Sequence, residues 1–126
     1  MYYDILTQVK NAQAAKKESL LAPFSRADFA VLKVLAAARY IKDVQKKAIG
    51  RKSFLEVKLT YNDGAPRITT VKIVSKPGKR MYVSYSGLKP VRQGYGVGVI
   101  STSRGVMSVA DAKKQKIGGE YLAQVW

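Results

Sequence analysis

The sequence contains no cysteine and no histidine among its 126 residues. Their absence excludes a disulfide framework, a thiolate metal site, a thiol nucleophile and an imidazole base. No apolar run is long enough to span a bilayer. The N-terminal letters MYYDILTQVK lack the charged start and apolar stretch of a secretory signal. We therefore expect a cytoplasmic protein that carries no metal and no cofactor.

Acidic residues are scarce as well. The chain has 23 Lys and Arg against 8 Asp and Glu, a formal net charge of +15. No Asp or Glu occurs from Gly64 to Ala110, a stretch that carries Arg67, Lys72, Lys76, Lys79, Arg80, Lys89, Arg92 and Arg104. Such an excess of positive charge destabilises a compact chain because the charges repel each other. A polyanionic partner offsets this repulsion. The distribution predicts nucleic-acid binding; the alternative is a basic protein without such a partner.

The order of helical and strand patterns predicts an α+β fold of two small lobes. The first is an N-terminal α/β lobe over residues 1–66, in which helix, strand, helix and further strands follow one another. Its elements are expected at 3–15, 19–24, 26–39, 39–44 and 53–61. On the first helix, Ile5, Leu6, Val9 and Ala12 share one apolar face. The segment 53–61 alternates as a half-buried strand does, with Leu55, Val57, Leu59 and Tyr61 on one face.

The second lobe, over residues 67–126, is expected to be mostly antiparallel β-structure with one short helix. Strand patterns occupy 67–75, 80–85, 95–102, 106–108 and 120–126. The letters KPGK at 76–79 predict a type II turn with positive φ at Gly78, so that 67–75 and 80–85 form a hairpin.

Two helices have recognisable starts. Ser25 and Asp28 have capping-box spacing before the second helix, and Ser108 and Asp111 repeat it before the short C-terminal helix. Gly118 is expected to end that last helix as a left-handed cap.

An enzymatic function is disfavoured by the residues present. A serine triad needs a base that this chain lacks, and nothing marks a Ser–Lys pair, although such a pair is formally possible. The letters GYGVG at 94–98 lack the strand before and the helix after that a dinucleotide loop requires. We expect a non-enzymatic protein with no small-molecule substrate.

Three hydroxyl residues precede an arginine and a glycine in the stretch Ser101, Thr102, Ser103, Arg104 and Gly105. Hydroxyl groups can read a base edge or a ribose 2′-OH, whereas the alternative is an ordinary loop. The residues alone leave these two interpretations even.

Two further features of the second lobe allow a functional and an ordinary interpretation. Basic residues around the KPGK turn, Lys76, Lys79 and Arg80, are either phosphate contacts or a solvated turn. Glu120 is the one late carboxylate without a capping role. It would either orient a neighbouring side chain or accept a hydrogen bond from a base or ribose.

Three segments together are similar to one known family. They are ILTQVKNAQAA at 5–15, VSKPGKRMY at 74–82, and STSRGVM at 101–107 with GGE at 118–120. In this order and spacing they resemble the eighth protein of the small ribosomal subunit, a family found in all ribosomes. The resemblance covers nearly the whole chain.

The resemblance implies a primary binder of the central domain of small-subunit ribosomal RNA that helps to assemble the platform. It implies neighbouring small-subunit proteins as partners and a location in the small subunit of a cytoplasmic or organellar ribosome. Some bacterial members also repress their own operon by binding a similar messenger RNA. The alternatives are a non-specific basic nucleic-acid chaperone and a Ser–Lys enzyme. A membrane-surface role would need a more strongly basic amphipathic helix.

The resemblance also implies which residues meet RNA. The irregular RNA core would face Ser101, Thr102, Ser103, Arg104 and Gly105, with Gly119 and Glu120 beside them. Backbone and neighbouring bases would face Lys76, Pro77, Gly78, Arg80 and Tyr82, and a second RNA segment would face Thr7, Lys10 and Asn11.

The chain departs from the family pattern at a few positions. Ile73 stands where a basic residue is usual, and Arg39 stands where a glycine commonly ends the second helix. The connector reads Leu88, Lys89, Pro90 in place of Leu-Pro-Lys.

Overall fold

The structure is a computed structural model that describes residues 2–62, 64–76, 78–89 and 96–126. The chain divides into two compact units, Met1–Thr69 and Thr70–Trp126. Helices and antiparallel sheets occur in both, which confirms the α+β class. No helix in the described ranges is long and apolar enough to cross a membrane.

Unit 1 combines two helices with a three-stranded sheet. Its elements are α1 (Tyr2–Ala14), β1 (Ser19–Pro23), α2 (Arg26–Ala37), β2 (Asp43–Ile49), β3 (Lys52–Lys58), β4 (Tyr61–Asn62) and β5 (Ala65–Pro66). The main sheet has the order β1-β3-β2, and β4 pairs with β5. All four residues of the predicted face of α1 are buried, as are Leu55 and Val57 of β3. Helical and strand periodicities therefore predicted this core correctly.

Helix α2 ends in a way that the sequence did not predict. Arg39 has a φ of 65°, and the Tyr40 amide donates to the Leu35 carbonyl at 2.9 Å. This left-handed residue closes the helix at the position where the resemblance implied a glycine. The strand predicted over 39–44 is wrong in its first part because β2 begins only at Asp43.

Ser25 lies at the N-cap of α2, but its side chain makes no capping hydrogen bond. Only the position of the predicted capping box is confirmed there. At α3 the capping role of Ser108 is confirmed, since the Asp111 amide donates to Ser108 Oγ at 3.1 Å.

Unit 2 is built around its last strand. Its elements are β6 (Val71–Ile73), β7 (Tyr82–Val83), a 3-10 turn (Tyr85–Gly87), β8 (Val97–Thr102), β9 (Gly105–Ser108), α3 (Val109–Gln115) and β10 (Gly119–Val125). The sheet order is β6-β10-β8-β9, and β7 also pairs with β10. The closing strand was predicted, but its central position was not.

The hairpin predicted between 67–75 and 80–85 is wrong as a strand pair. Both β6 and β7 pair with β10 instead, β6 at Ala123–Val125 and β7 at Gly119 and Glu120. Among the described residues between β6 and β7, Lys76 and Lys79 form an isolated bridge.

The end of α3 also corrects a prediction. Lys116, with φ 58° and ψ 43°, supplies the left-handed cap in place of Gly118. Gly118 has a different role, because a Cβ there would collide with the backbone of Val83 and Ser84. Helix α3 covers one face of the sheet, where the core consists of Leu88, Ile100, Val109, Ala112 and Tyr121.

Candidate nucleic-acid interface

Three polar or aromatic residues lie in one row across the sheet of unit 2. Glu120 on β10 is directly paired with Tyr82 on β7 and with Ser101 on β8. Directly paired residues of antiparallel strands point to the same face. Their neighbours Ile100 and Tyr121 are buried in the core on the opposite face. Tyr82 is 71% exposed, and Ser101 and Glu120 are partly exposed, so solvent reaches this row, called the polar row below.

Glu120 is held from two directions. Its Oε2 atom accepts a hydrogen bond from Ser75 Oγ and lies 3.3 Å from Arg80 NH1. Ser75 Oγ accepts in turn from the Met81 amide at 3.3 Å. The carboxylate is therefore fixed beside the only arginine that it contacts among the described residues.

Ser75 holds the Glu120 carboxylate and was not among the residues predicted from the sequence. It is fully buried, and it lies between strand β6 and the turn at residues 76–79. The sequence around it, TTVKIVS at 69–75, already contains polar residues and gave no signal that this serine would be buried. Its partner Glu120 lies 45 positions along the chain, so the pairing itself was not readable from local sequence.

Residues 101–105, called the hydroxyl turn below, comprise the end of β8, the turn itself and the first residue of β9. Their hydroxyls differ in their partners. Thr102 Oγ1 donates to the Gly105 carbonyl at 2.9 Å and accepts from the Arg104 amide at 3.1 Å. Thr102 therefore shapes the turn, and Gly105 completes it with a φ of 112°. The hydroxyls of Ser101 and Ser103 make no side-chain hydrogen bond to any described residue.

Arg104, at the tip of this turn, leans back toward helix α3. Its NH1 atom lies 3.3 Å from Gln115 Oε1. Arg104 remains exposed, so the guanidinium keeps donors for a phosphate or a base.

Gly119 allows β10 and β8 to approach closely. A Cβ at this position would fall on the carbonyl of Ser101 and near Thr102 Cα. The glycine therefore brings the two strands together beside the polar row.

The basic turn of residues 76–80 lies next to the polar row through Arg80. Lys76 and Lys79 exchange backbone hydrogen bonds of 3.0 and 2.9 Å. Gly78 has the predicted positive φ, at 83°, and the side chains of Lys76, Lys79 and Arg80 are exposed. Pro77 lies outside the described residues.

The remaining predicted contacts are on helix α1 of unit 1. Thr7 and Asn11 are exposed, and Lys10 is half-buried. All three lie away from the buried face of the helix, so a partner can reach them.

Three tyrosine hydroxyls have a pKa above the ordinary value. Burial raises the pKa of Tyr121 above its ordinary 10.0, while the hydrogen bond with Gln124 opposes the rise. Burial likewise raises the pKa of Tyr40, opposed by the charge of Arg67. Burial also raises the pKa of Tyr61, whose hydroxyl donates to the Lys17 carbonyl at 2.5 Å. None of these groups belongs to the polar row.

Charge and geometry together indicate a class of protein. Unit 2 carries ten Lys or Arg and two Asp or Glu, and the described residues contain no cluster able to hold a metal ion. A basic α+β chain with exposed hydroxyl, aromatic and guanidinium groups on one sheet face is typical of a nucleic-acid-binding protein.

The comparisons with known proteins identify the family. The family model described as Ribosomal protein S8 matches residues 2–126. The chain is 42% identical over 123 residues to Small ribosomal subunit protein uS8 of Rhizorhabdus wittichii and to that of Erythrobacter litoralis. It is 43% identical over 126 residues to the protein of that name from Sphingopyxis alaskensis. Each comparison covers 98% of this chain and 94% of the relative.

The chain belongs to the ribosomal protein S8 family. It is a structural, non-enzymatic protein of the small ribosomal subunit, and ribosomal RNA binding is the general role of this family. Its partners are small-subunit ribosomal RNA and other ribosomal proteins. This membership confirms the family that the sequence resembled and the prediction that the protein is not an enzyme.

Proposed function

We propose that this chain is a primary binder of the central domain of small-subunit ribosomal RNA and that unit 2 carries the specific contact. The observation that carries the proposal is the fixed Glu120 on an open sheet face, within a unit that has only one other carboxylate. A carboxylate repels phosphate, so its place in a basic surface favours a contact with bases or ribose.

The polar row offers three kinds of contact to an irregular RNA. Glu120 Oε1 accepts no hydrogen bond from the described residues, so it can accept one from a base amino group or a 2′-OH. Ser101 offers a hydroxyl that both donates and accepts. The exposed Tyr82 ring can stack on an unpaired base.

The hydroxyl turn extends this surface. Thr102 and Gly105 hold its shape, and the unengaged hydroxyl of Ser103 and the donors of Arg104 face outward. Gly119 brings β10 and β8 together, so that Ser101 and Glu120 act on the same stretch of RNA. A loop that only connected two strands would have no need for unpaired hydroxyls beside a fixed carboxylate.

Affinity comes from the basic turn. Lys76, Lys79 and Arg80 would displace counterions from phosphates, which makes their contribution dependent on salt and independent of sequence. Gly78, with its positive φ, would set the turn that carries them along the RNA backbone.

A second RNA segment would contact helix α1 of unit 1 through its exposed side. Thr7 and Asn11 can form hydrogen bonds, and Lys10 can contact a phosphate. This contact would add affinity without reading the irregular RNA core.

A messenger RNA that reproduces the same irregular structure would bind the same surface. Repression of the chain's own operon would then follow from competition between messenger and ribosomal RNA. The test is whether a messenger fragment competes for the site at a concentration similar to the ribosomal fragment.

Filter binding tests the main proposal. The purified chain is titrated onto a central-domain RNA fragment across a salt series, with excess unrelated duplex RNA as competitor. We expect tight binding that survives the competitor. Binding that the competitor abolishes would contradict the proposal and favour a chaperone that binds nucleic acids by charge alone.

A further inference from the structure

We propose that Ser75 is a positioning residue for RNA recognition: its buried hydroxyl sets the orientation of Glu120, and through Glu120 that of Arg80. This inference rests on the proposed function, because it assigns a residue that determines the specificity of the same site. It concerns a side chain that is 0% exposed and therefore cannot touch RNA itself.

The direction of the Ser75 hydroxyl follows from its partners. The Met81 amide donates to Ser75 Oγ at 3.3 Å, so one lone pair of that oxygen is occupied. A carboxylate only accepts hydrogen bonds, so the hydroxyl proton of Ser75 is directed at Glu120 Oε2. The two contacts tie the end of the basic turn to the start of β10.

Strand pairing fixes the remaining parts of this arrangement. The Tyr121 amide donates to the Met81 carbonyl at 2.8 Å, and Glu120 pairs with Tyr82. The backbone therefore holds Ser75, Met81 and Glu120 together, and the serine hydroxyl is left to select the rotamer of the glutamate.

The hydrogen bond from Ser75 also gives the two oxygens of the Glu120 carboxylate different roles. Both Ser75 and Arg80 contact Oε2, which leaves Oε1 of Glu120 for a partner. Without the hydrogen bond from the Ser75 hydroxyl, the Glu120 carboxylate is free to rotate, and Arg80 and water compete for its oxygens. The RNA would then meet a mixture of orientations, and ordering them would reduce its affinity.

A double-mutant cycle of Ser75→Ala and Glu120→Ala tests this, with filter binding to the central-domain fragment as the readout. We expect Ser75→Ala alone to weaken specific binding about tenfold, as for a lost hydrogen bond to a charged group. In the Glu120→Ala background the same change should cost less than about twofold, because interacting residues are not additive.

The salt slope separates positioning from a loss of phosphate contacts. We expect Ser75→Ala to change the slope by less than the value of about 0.7 to 0.9 for one lost phosphate contact, since it reorients Arg80 but removes no cation. Ser84→Ala is the matched control, because Ser84 is exposed and its hydroxyl bonds only that of Ser86 among the described residues. Its affinity should stay within about twofold of wild type, as is usual for exposed surface changes.

Thermal unfolding of each variant monitors the fold. If Ser75→Ala does not fold, Ser75→Cys replaces it in the cycle, because a thiol leaves no cavity, being somewhat larger than the hydroxyl, and is only a weak donor. If the wild-type chain binds the fragment specifically but the losses of affinity in Ser75→Ala and Glu120→Ala add in the double variant, this inference alone is overturned. A wild-type chain with no preference for the fragment would overturn the proposed function and this inference with it.

Discussion

Two glutamates, one on the main sheet of each unit, differ in how their carboxylates are held. Glu56 on β3 of unit 1 lies 2.6 Å from Lys47 Nζ, and Glu120 on β10 of unit 2 lies 3.3 Å from Arg80. Both ion pairs involve an exposed cation, and such surface pairs contribute about 0–1 kcal/mol. Only Glu120 is also held by a buried hydroxyl, that of Ser75. The length of an ion pair is therefore a poor guide to how firmly its carboxylate is fixed.

Their neighbours across the strands differ as well. Glu56 is paired with Leu21 and Gln45, whereas Glu120 is paired with Tyr82 and Ser101. An aliphatic side chain beside an exposed ion pair offers little to RNA. An aromatic ring and a hydroxyl beside a fixed acceptor offer stacking and hydrogen bonds.

The largest effect should come from adding a methyl group where β10 and β8 of unit 2 are in closest contact. In Gly119→Ala, the new methyl group collides with the Ser101 backbone, which cannot rotate away as a flexible side chain would. We expect a loss of about 3 kcal/mol in the free energy of unfolding, at the upper end for overpacking. Chemical denaturation measures it.

Gly50→Ala in the β2–β3 turn of unit 1 is the control. It has open space around it but a φ of 64°, so only backbone strain of about 1 kcal/mol is expected. Equal losses for the two variants would show that the strands can separate without cost.

Removing each carboxylate sharpens the comparison directly. Glu120→Ala should weaken specific binding to the central-domain fragment about tenfold or more, while binding to unrelated duplex RNA rises slightly because a negative charge is lost. Glu56→Ala should leave the specific affinity within about twofold, as for other surface changes. Competition filter binding measures both. A gain in specific affinity for Glu120→Ala would mean that the carboxylate only repels the RNA.

The two predicted helix caps provide a smaller contrast. Ser108→Ala should cost about 1 kcal/mol because its side chain caps α3. Ser25→Ala should cost only a few tenths of that, since Ser25 makes no capping bond at α2. Thermal unfolding of the two variants checks this, and the reverse order would contradict the observed hydrogen bonds.

The smallest effect concerns stability at high pH. Burial raises the pKa of Tyr121 in the folded chain above its ordinary 10.0, so the unfolded chain ionises first. The stabilisation from the neutral hydroxyl is complete below pH 10 and is lost as the pH rises through the folded-state pKa. Tyr121→Phe should therefore reduce the fall in unfolding temperature above pH 10. An unchanged pH profile would contradict this.

Much of the fold could be predicted because local physics decides it. The apolar face of α1, the alternation of β3 and the cap at Ser108 all depend on residues within a few positions of each other. Strand order in unit 2 could not be predicted. Nothing in β6 or β7 indicates that both prefer β10 to each other, because pairing is decided by non-local packing.

Part of the candidate site was readable for the same reason. The hydroxyl turn and the basic turn are contiguous stretches, whereas the bond from Ser75 to Glu120 joins distant segments. The left-handed residues Arg39 and Lys116 were also missed, since both stand where glycine is the ordinary choice.

The most direct test compares Ser103→Ala with Arg80→Ala by filter binding to the central-domain fragment across a salt series. We expect Ser103→Ala to lower the specific affinity and to keep the salt slope. Arg80→Ala should weaken binding to all RNAs and flatten the slope by about 0.7 to 0.9, the value for one lost phosphate contact. If both variants changed affinity and slope alike, the separation between reading groups and phosphate contacts would be contradicted.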